Sequence, residues 1–282
     1  MPSRYLSVGI DNNAVTVYID IMTRNHRGTT ALITGASAGL GSEFARQFAA
    51  RGADVVLVAR REERLRDLAA SLESGYNVTA TVIGLDLARP DAAAELRREL
   101  QARGLSVDTL VNNAGFGMKG DFVEADPARI AEMVQLNVSS LVAITREFLP
   151  DLVRAGRGAL VNIASTAAYQ PCPSMAVYGA TKAFVLSFTE ALAYETRESG
   201  LGVLAVSPGA TRTEFFDVVG GEDASVGRFQ TPEQVVSLAL RELDRRSTPP
   251  SVVSGRMNAI TAKLVGFMPR RTALAVSGRV LG

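Results

Sequence analysis

From Thr30 onward, short apolar and β-branched runs alternate with longer stretches of helical period, and no other feature constrains the fold as strongly. Two parallel strands need a crossover between them, usually a helix laid over one sheet face, so a repeated unit of this kind predicts a parallel sheet. Strands are expected at Thr30 to Thr34, Asp54 to Arg60, Val78 to Gly84, Thr109 to Asn112, Ala159 to Ser165, Gly202 to Ser207 and Ser251 to Ser254. Helices are expected at Gly41 to Arg51, Arg61 to Glu73, Asp91 to Arg103, Pro127 to Leu152, Ala176 to Glu198 and Pro232 to Arg245. Asp126 before Pro127, and Thr231 before Pro232 and Glu233, are helix-start signals: an oxygen to accept from orphan N–H groups, then a residue that needs no N–H partner. The expected fold class is α/β, with one doubly wound parallel sheet of about seven strands, helices on both faces, and ligand at the carboxyl ends of the strands.

The two ends of the chain depart from this pattern. Tyr5 to Ile10 and Ala14 to Ile21 read as strands around Asp11-Asn12-Asn13, so residues 1–27 are expected to be an extension, either a hairpin or disordered, with Met22 as an alternative start. Residues 28–255 carry the repeating units as one domain. Residues 256–282 read as a basic amphipathic tail. No acid follows Asp244, yet Arg245, Arg246, Arg256, Lys263, Arg270, Arg271 and Arg279 do, and Met257, Ile260, Leu264, Phe267 and Met268 recur at helical spacing. Such a tail either makes weak peripheral contact with an anionic membrane, caps a substrate cleft near a lipid phase, or packs on its own domain or a partner subunit.

Composition excludes several function classes. A net charge of +1 supplies no global field for nucleic acid, which is not expected as a partner. The single cysteine, Cys172, rules out an intramolecular disulfide and a cysteine-built metal site, and it reads as a small apolar pocket residue between prolines. The single histidine, His26, lies in a polar run and reads as a solvated loop residue, which leaves a Ser-His-Asp hydrolase almost nothing to use. No metal site is expected. No apolar stretch approaches the roughly 20 residues needed to span a bilayer, and the N-terminus lacks signal-peptide organisation. A cytoplasmic protein is expected, at most peripheral at the inner membrane surface.

After the first strand, Thr34-Gly35-Ala36-Ser37-Ala38-Gly39-Leu40-Gly41 runs directly into a helix. Glycines there let the backbone turn sharply and approach a pyrophosphate, and the helix start offers free N–H groups with a positive dipole end. Gly35, Ser37, Gly39, Leu40 and Gly41 are thus candidate phosphate-binding residues; a plain structural turn is the competing reading. The second strand ends in Ala59-Arg60-Arg61 without an acid. An acid there would bind the ribose hydroxyl of NAD, whereas Arg60 can pair with the 2′-phosphate of NADP. NADP(H) is the expected cofactor. Arg61 reads equally well as a solvated helix-start residue paired with Glu62 or Glu63, and Ser37 is a weaker phosphate candidate.

Tyr178 and Lys182 stand four residues apart on one helix face. A nearby ammonium favours phenolate and lowers a tyrosine pKa from about 10, which would make Tyr178 useful as an acid or base. By itself this spacing is common on helix surfaces. The surrounding motifs change the reading: Thr34 to Gly41, Asn112-Asn113-Ala114-Gly115, Ser165, Tyr178 to Lys182 and Pro208-Gly209 occur in the order and spacing of the short-chain dehydrogenase/reductase family. The chain resembles the compact branch of that family from about Thr30 to Ser254.

The resemblance implies a Rossmann-like sheet and hydride transfer between the nicotinamide and a small-molecule ketone or secondary alcohol. It implies Tyr178 as general acid/base, Lys182 as its electrostatic partner and ribose contact, Ser165 as hydrogen-bond donor to the substrate oxygen, and Asn137 as holder of a proton-relay water. It further implies cofactor contacts from Asp86, Leu87, Asn113, Ala114, Gly115, Pro208, Gly209, Thr211 and Thr213, and a lid between Arg212 and Gln230 containing Gly220 and Gly221. The stretch from Ser165 to Glu195 is similar to the branch with ketoacyl and lipophilic ketone reductases, and a homodimer or homotetramer is implied. Two rivals are a non-catalytic NADP-binding sensor or scaffold, which would not need all four chemical residues, and an epimerase or dehydratase, which usually carries a larger substrate domain.

Overall fold

The structure, a computed structural model, describes residues 26–219 and 229–281. The hairpin expected within residues 1–21 lies outside the described residues, as do Gly220 and Gly221 of the expected lid.

Seven strands form one all-parallel sheet: β1 (Thr30–Thr34), β2 (Asp54–Ala59), β3 (Ala80–Gly84), β4 (Thr109–Asn112), β5 (Ala159–Ile163), β6 (Gly202–Ser207) and β7 (Ser251–Val253). Their spatial order is β3-β2-β1-β4-β5-β6-β7, with Ala31 of β1 beside both Val55 of β2 and Thr109 of β4. Helices α1 (Gly39–Ala50), α2 (Glu62–Tyr76), α3 (Ala92–Ala102), α4 (Pro127–Val134), α5 (Leu141–Ala155), α6 (Ala176–Glu195), α7 (Phe215–Val219), α8 (Pro232–Leu243), α9 (Arg256–Phe267) and α10 (Arg270–Leu281) complete the described chain.

Successive side chains of a strand point to opposite faces, and the two cores follow that rule. Ala31, Ile33, Val55, Leu57, Val161 and Leu204 pack with Phe44 and Phe48 of α1, Leu65 and Leu72 of α2, and Val235 and Leu240 of α8. Leu32, Val56, Leu110 and Leu160 pack on the other face with Leu96 of α3, Ile144 and Phe148 of α5, and Leu192 of α6. Strands buried on both faces must be apolar throughout, which is why they read as continuous runs rather than alternating ones.

Helix starts behave as their chemistry requires. Asp126 accepts from Ala128 N at the head of α4, and Thr231 accepts from Gln234 N while Gln234 reaches back to Thr231 N at the head of α8. The helix expected from Pro127 to Leu152 is interrupted: Gln135–Ser140 forms a π-helical turn between α4 and α5, and Asn137 sits inside it. Periodicity alone could not show that widened turn, a feature often found at functional sites. His26 lies in a loop, as expected, but is only partly exposed, its ring standing edge-on to Phe48 with centres 5.3 Å apart. Among the described residues, no helix is long and apolar enough to cross a membrane.

Candidate active site

In this strand order the chain leaves β1 in one direction and later returns beside it as β4, so the loops after β1 and β4 diverge and leave a crevice at their carboxyl ends. The loop after β1 is stitched to the one after β4. Asn113 Nδ2 donates to Thr34 O at 2.9 Å, and Thr34 Oγ1 accepts from Asn113 N and Ala114 N.

The crevice opens into a cavity of about 510 Å³. Every residue expected on sequence grounds lines it except Gly41 and Asn137. Gly41 lies beneath the loop, where an added Cβ would sit 2.2 Å from Gly35 O, so its role is to let the loop fold onto α1. Gly35 and Gly39 have φ of +65° and +58°, values that L side chains rarely adopt. Thr213 packs over Gly39 from the far side, where its Cγ2 would meet an added Cβ at 3.0 Å.

Unlike α4 and α8, α1 begins with no side-chain cap, and its first turn carries no acid. Its leading N–H groups and positive dipole end therefore face the cavity, an arrangement suited to an anion. Arg60 and Arg61 stand at the same rim. Arg61 donates to Ser37 Oγ through Nε at 3.2 Å and Nη2 at 3.0 Å, and its Nη1 lies 2.6 Å from Glu214. Arg64 pairs with the same carboxylate, and the two guanidiniums hold Glu214 below the ordinary carboxylate value. Arg60 is more loosely held, 3.5 Å from Glu132 and 62% exposed. These residues fit a dinucleotide phosphate: a glycine cradle, an open helix start and cations at one rim.

At the other end of the cavity, β5 delivers Ser165, and α6 delivers Tyr178 and Lys182, one turn apart on its inner face. Ser165 starts a 3-10 turn, where its Oγ accepts from Ala167 N, and its hydroxyl stands near enough to the Tyr178 phenol to favour the phenolate. Burial pushes Tyr178 up to about 12, and the Ser165 contact pulls the other way. This runs against the expected lowering of the phenol by Lys182. The reason is geometric: Lys182 Nζ donates to Ile163 O at 2.7 Å and stands 5.8 Å from the Tyr178 ring centre, while burial lowers its own pKa to about 8.

Asn137 is buried behind these groups. Its Oδ1 accepts from Phe116 N at 3.1 Å, and its Nδ2 donates to Phe116 O and Thr181 Oγ1. Gly115 lets it approach, since an added Cβ there would lie 2.8 Å from Asn137 Oδ1 and 3.7 Å from Lys182 Nζ. Phe116, Cys172, Met175, Phe215 and Phe216 supply an apolar wall, with the Phe215 and Tyr178 ring centres 5.4 Å apart. Cys172 keeps a protonated thiol, pushed up to about 11 by burial, in accord with a lining role.

Sequence reading left Arg61 evenly balanced between the phosphate and a solvated helix start, and it placed Glu214, Phe215 and Phe216 only within the expected lid, without individual roles. Arg61 directly follows the strand end and could have been included on the same grounds as Arg60. Glu214 and the Phe215-Phe216 pair had no local signal, because their contacts span 153 residues of chain in the Arg61 to Glu214 case.

The sequence matches the family model for short chain dehydrogenase over residues 29–222. It is 39% identical to sulfoacetaldehyde reductase 2 of Chromohalobacter salexigens over 214 residues, 74% of this chain and 84% of that protein. It is 35% identical to the very-long-chain 3-oxoacyl-CoA reductase of Laccaria bicolor over 63% of this chain, a match that spans only 53% of that longer protein. The structure superposes on a short-chain dehydrogenase from Sphingobium yanoikuyae in complex with NADPH with a TM-score of 0.74 and 35% identity, covering 86% of this chain and 97% of that one. Solved structures similar to this chain include complexes with NADPH and with NADH.

Proposed function

The chain belongs to the short-chain dehydrogenase family, oxidoreductases acting on carbonyl and alcohol groups, and from that premise we propose that it is an NADP(H)-dependent reductase of lipophilic or ketoacyl-type ketones. One observation carries the reading: Ser165, Tyr178 and Lys182 line the same cavity as an uncapped helix start flanked by arginines.

When bound, the nicotinamide cofactor supplies or accepts the hydride. Gly35, Gly39 and Leu40, at the start of α1, would hold its phosphates through backbone N–H groups, and Ser37, Arg60 and Arg61 would hold a 2′-phosphate. Asp86, Leu87, Asn113, Ala114, Gly115, Pro208, Gly209, Thr211 and Thr213 line the same cavity and would contact the rest of the cofactor. Ser165 would donate to the substrate oxygen and stabilise charge developing there. Tyr178 would give its phenolic proton to that oxygen during reduction and take it back during oxidation. A phenol pushed up to about 12 is fully protonated near neutrality, which suits the reducing direction. Lys182, fixed by Ile163 O, would compensate charge on the phenolate once the proton has left. Asn137, locked to Phe116 and Thr181, would set the position of the Gly115 segment beside Lys182 and hold a relay water in its π-helical turn.

The apolar wall supports a lipophilic substrate, because its rings and thioether offer burial rather than hydrogen bonds to a carbonyl compound. Exposed Phe184 and Tyr194 on α6 support subunit contact in a homodimer or homotetramer, to be read by light scattering. The deciding experiment follows NADPH oxidation over ketones of graded chain length, including β-ketoacyl thioesters. Rates should rise with chain length, and NADH should be the poorer reductant. Equal or faster turnover with NADH would overturn the cofactor assignment, and no NADPH oxidation with any ketone would overturn the function.

A further inference from the structure

The structure separates the readings that sequence left open for residues 256–282. α9 does pack on its own domain, but by its small and polar side. Asn258 lies against Gly209 and Gly255 and donates to Ser254 O at 2.8 Å, and Ala262 is buried. The large apolar side chains face outward instead: Met257, Ile260, Leu264 and Phe267 are 71%, 50%, 54% and 89% exposed. Their spacing of three, four and three residues puts them on one stripe. α10 repeats the inversion, with Ala273 and Ser277 buried while Leu274 and Val276 are exposed. Arg256, Lys263, Arg270, Arg271 and Arg279 are exposed on the same two helices, and the sequence holds no acid beyond Asp244.

We propose that α9 and α10 form a docking surface for an anionic lipid bilayer. A stripe of exposed large apolar residues on two helices whose charged residues are all cations has two candidate occupants, and charge decides between them. In a two-fold contact the same patch meets itself, so a second copy would set these arginines and lysine against their own counterparts. An anionic bilayer satisfies both components, burying the apolar stripe at the headgroup boundary and attracting every cation. α9 has 12 residues and spans roughly 18 Å, too short to cross a hydrocarbon core of about 30 Å, so it would lie in the interface plane.

The placement gives docking a use. α9 packs beside the 3-10 turn Thr166–Tyr169, Asn258 touches Gly209, and Gly278 of α10 approaches Pro173. Thr166 and Gly209 both line the cavity, so the docking surface adjoins the cavity wall. Delivery of bilayer-dissolved ketones to that cavity rests on the reductase reading; the docking itself does not.

The test is co-sedimentation of the whole protein with phosphatidylcholine vesicles, with and without phosphatidylglycerol, at low and high salt. Binding should require phosphatidylglycerol and fall with salt. Leu264→Gln/Phe267→Gln and Arg270→Gln/Arg271→Gln should each weaken partitioning by at least about tenfold while keeping the parental melting temperature. These residues lie outside the cavity, so reduction of a water-soluble ketone should be unchanged in both variants. No binding to phosphatidylglycerol vesicles, or equal binding to pure phosphatidylcholine, would overturn the proposal. A drop in light-scattering mass for Leu264→Gln/Phe267→Gln, with vesicle binding retained, would assign the stripe to a second copy and overturn it as well.

Discussion

The end of the cavity beneath Gly35 and Gly39 is shaped by backbone, whereas the end around Tyr178 is shaped by side chains drawn from β5, α6, α7 and the loop after β4. At the first end, positive-φ glycines and an uncapped helix start present N–H groups at fixed positions, and the only side chains involved stand at the rim. At the second end, a buried phenol and a buried ammonium stand within an aromatic wall, the ammonium donating to Ile163 O. The backbone-built end should recognise a common ligand and tolerate little change. The side-chain-built end should carry the chemistry and the choice of substrate.

The largest expected effect breaks the two ends apart. Tyr178→Phe removes the proposed proton donor and leaves the ring that packs on Phe215, so turnover should fall at least about a hundredfold while NADPH affinity, measured by fluorescence titration, stays within about twofold of the parent. A parallel loss of affinity would show that the ends are not separable. Retained turnover would remove Tyr178 from its proposed role.

The next effect is read in stability rather than rate. Burial holds Lys182 near 8 in the folded protein against an ordinary value of 10.5, so between those values the unfolded chain binds more protons at this site. Its contribution to stability therefore rises with pH across that window, as the cost of burying the charged form is relieved. Urea unfolding of the parent and Lys182→Met should show their stability difference shifting in favour of the parent by on the order of 2 kcal/mol between pH 8 and 10.5. Tyr178, whose raised pKa acts in the opposite sense above 10, titrates in both proteins and cancels. A difference independent of pH would mean that the ammonium is solvated.

The contrast between the ends also explains what could be read from sequence. Each strand was found, with ends within two residues of those observed; the central strands are buried on both faces and so continuously apolar, while the half-buried edge strands β3 and β7 were carried by their β-branched residues. The glycine loop was legible because its function is local: Gly35, Gly39 and Gly41 are adjacent in sequence and in space. The Tyr178 and Lys182 pair was legible because helical spacing fixes their common face. The direction of the Tyr178 shift was not, since it depends on the wall that buries the phenol and on Ile163 O capturing Lys182. The contacts of Glu214 and the direction of the α9 stripe were left open for the same reason. Pattern shows that a helix has an apolar stripe; only packing shows which way it points.

A smaller effect divides the rim cations. Arg60 was the sequence-based choice for the 2′-phosphate, yet Arg61 is the one already oriented on Ser37 beside the loop. Losing a hydrogen-bonded guanidinium to phosphate costs about 1.5–3 kcal/mol, so Arg61→Gln should weaken NADPH binding at least about tenfold and leave NADH binding unchanged. Arg60→Gln should do less. The reverse ranking in titrations with both cofactors would restore Arg60 as the principal contact.

The smallest effect tests whether the two ends communicate. Glu214 directly precedes α7, whose Phe215 packs on Tyr178, while its carboxylate is held by Arg61 and Arg64 across the rim. One residue thus ties the aromatic wall to the phosphate end. Glu214 also competes with any phosphate for Arg61, because that guanidinium cannot serve two anions in one geometry. Exposed ion pairs of this kind are worth about 0.2–1 kcal/mol, so Glu214→Gln should tighten NADPH by about two- to fivefold. The same substitution frees the start of α7, and KM for a long-chain ketone should rise by a similar factor with turnover at saturation unchanged. Tighter NADPH with an unaltered ketone KM would make Glu214 a competitor at the rim alone. A change in both, in opposite directions, is what a tie between the two ends requires.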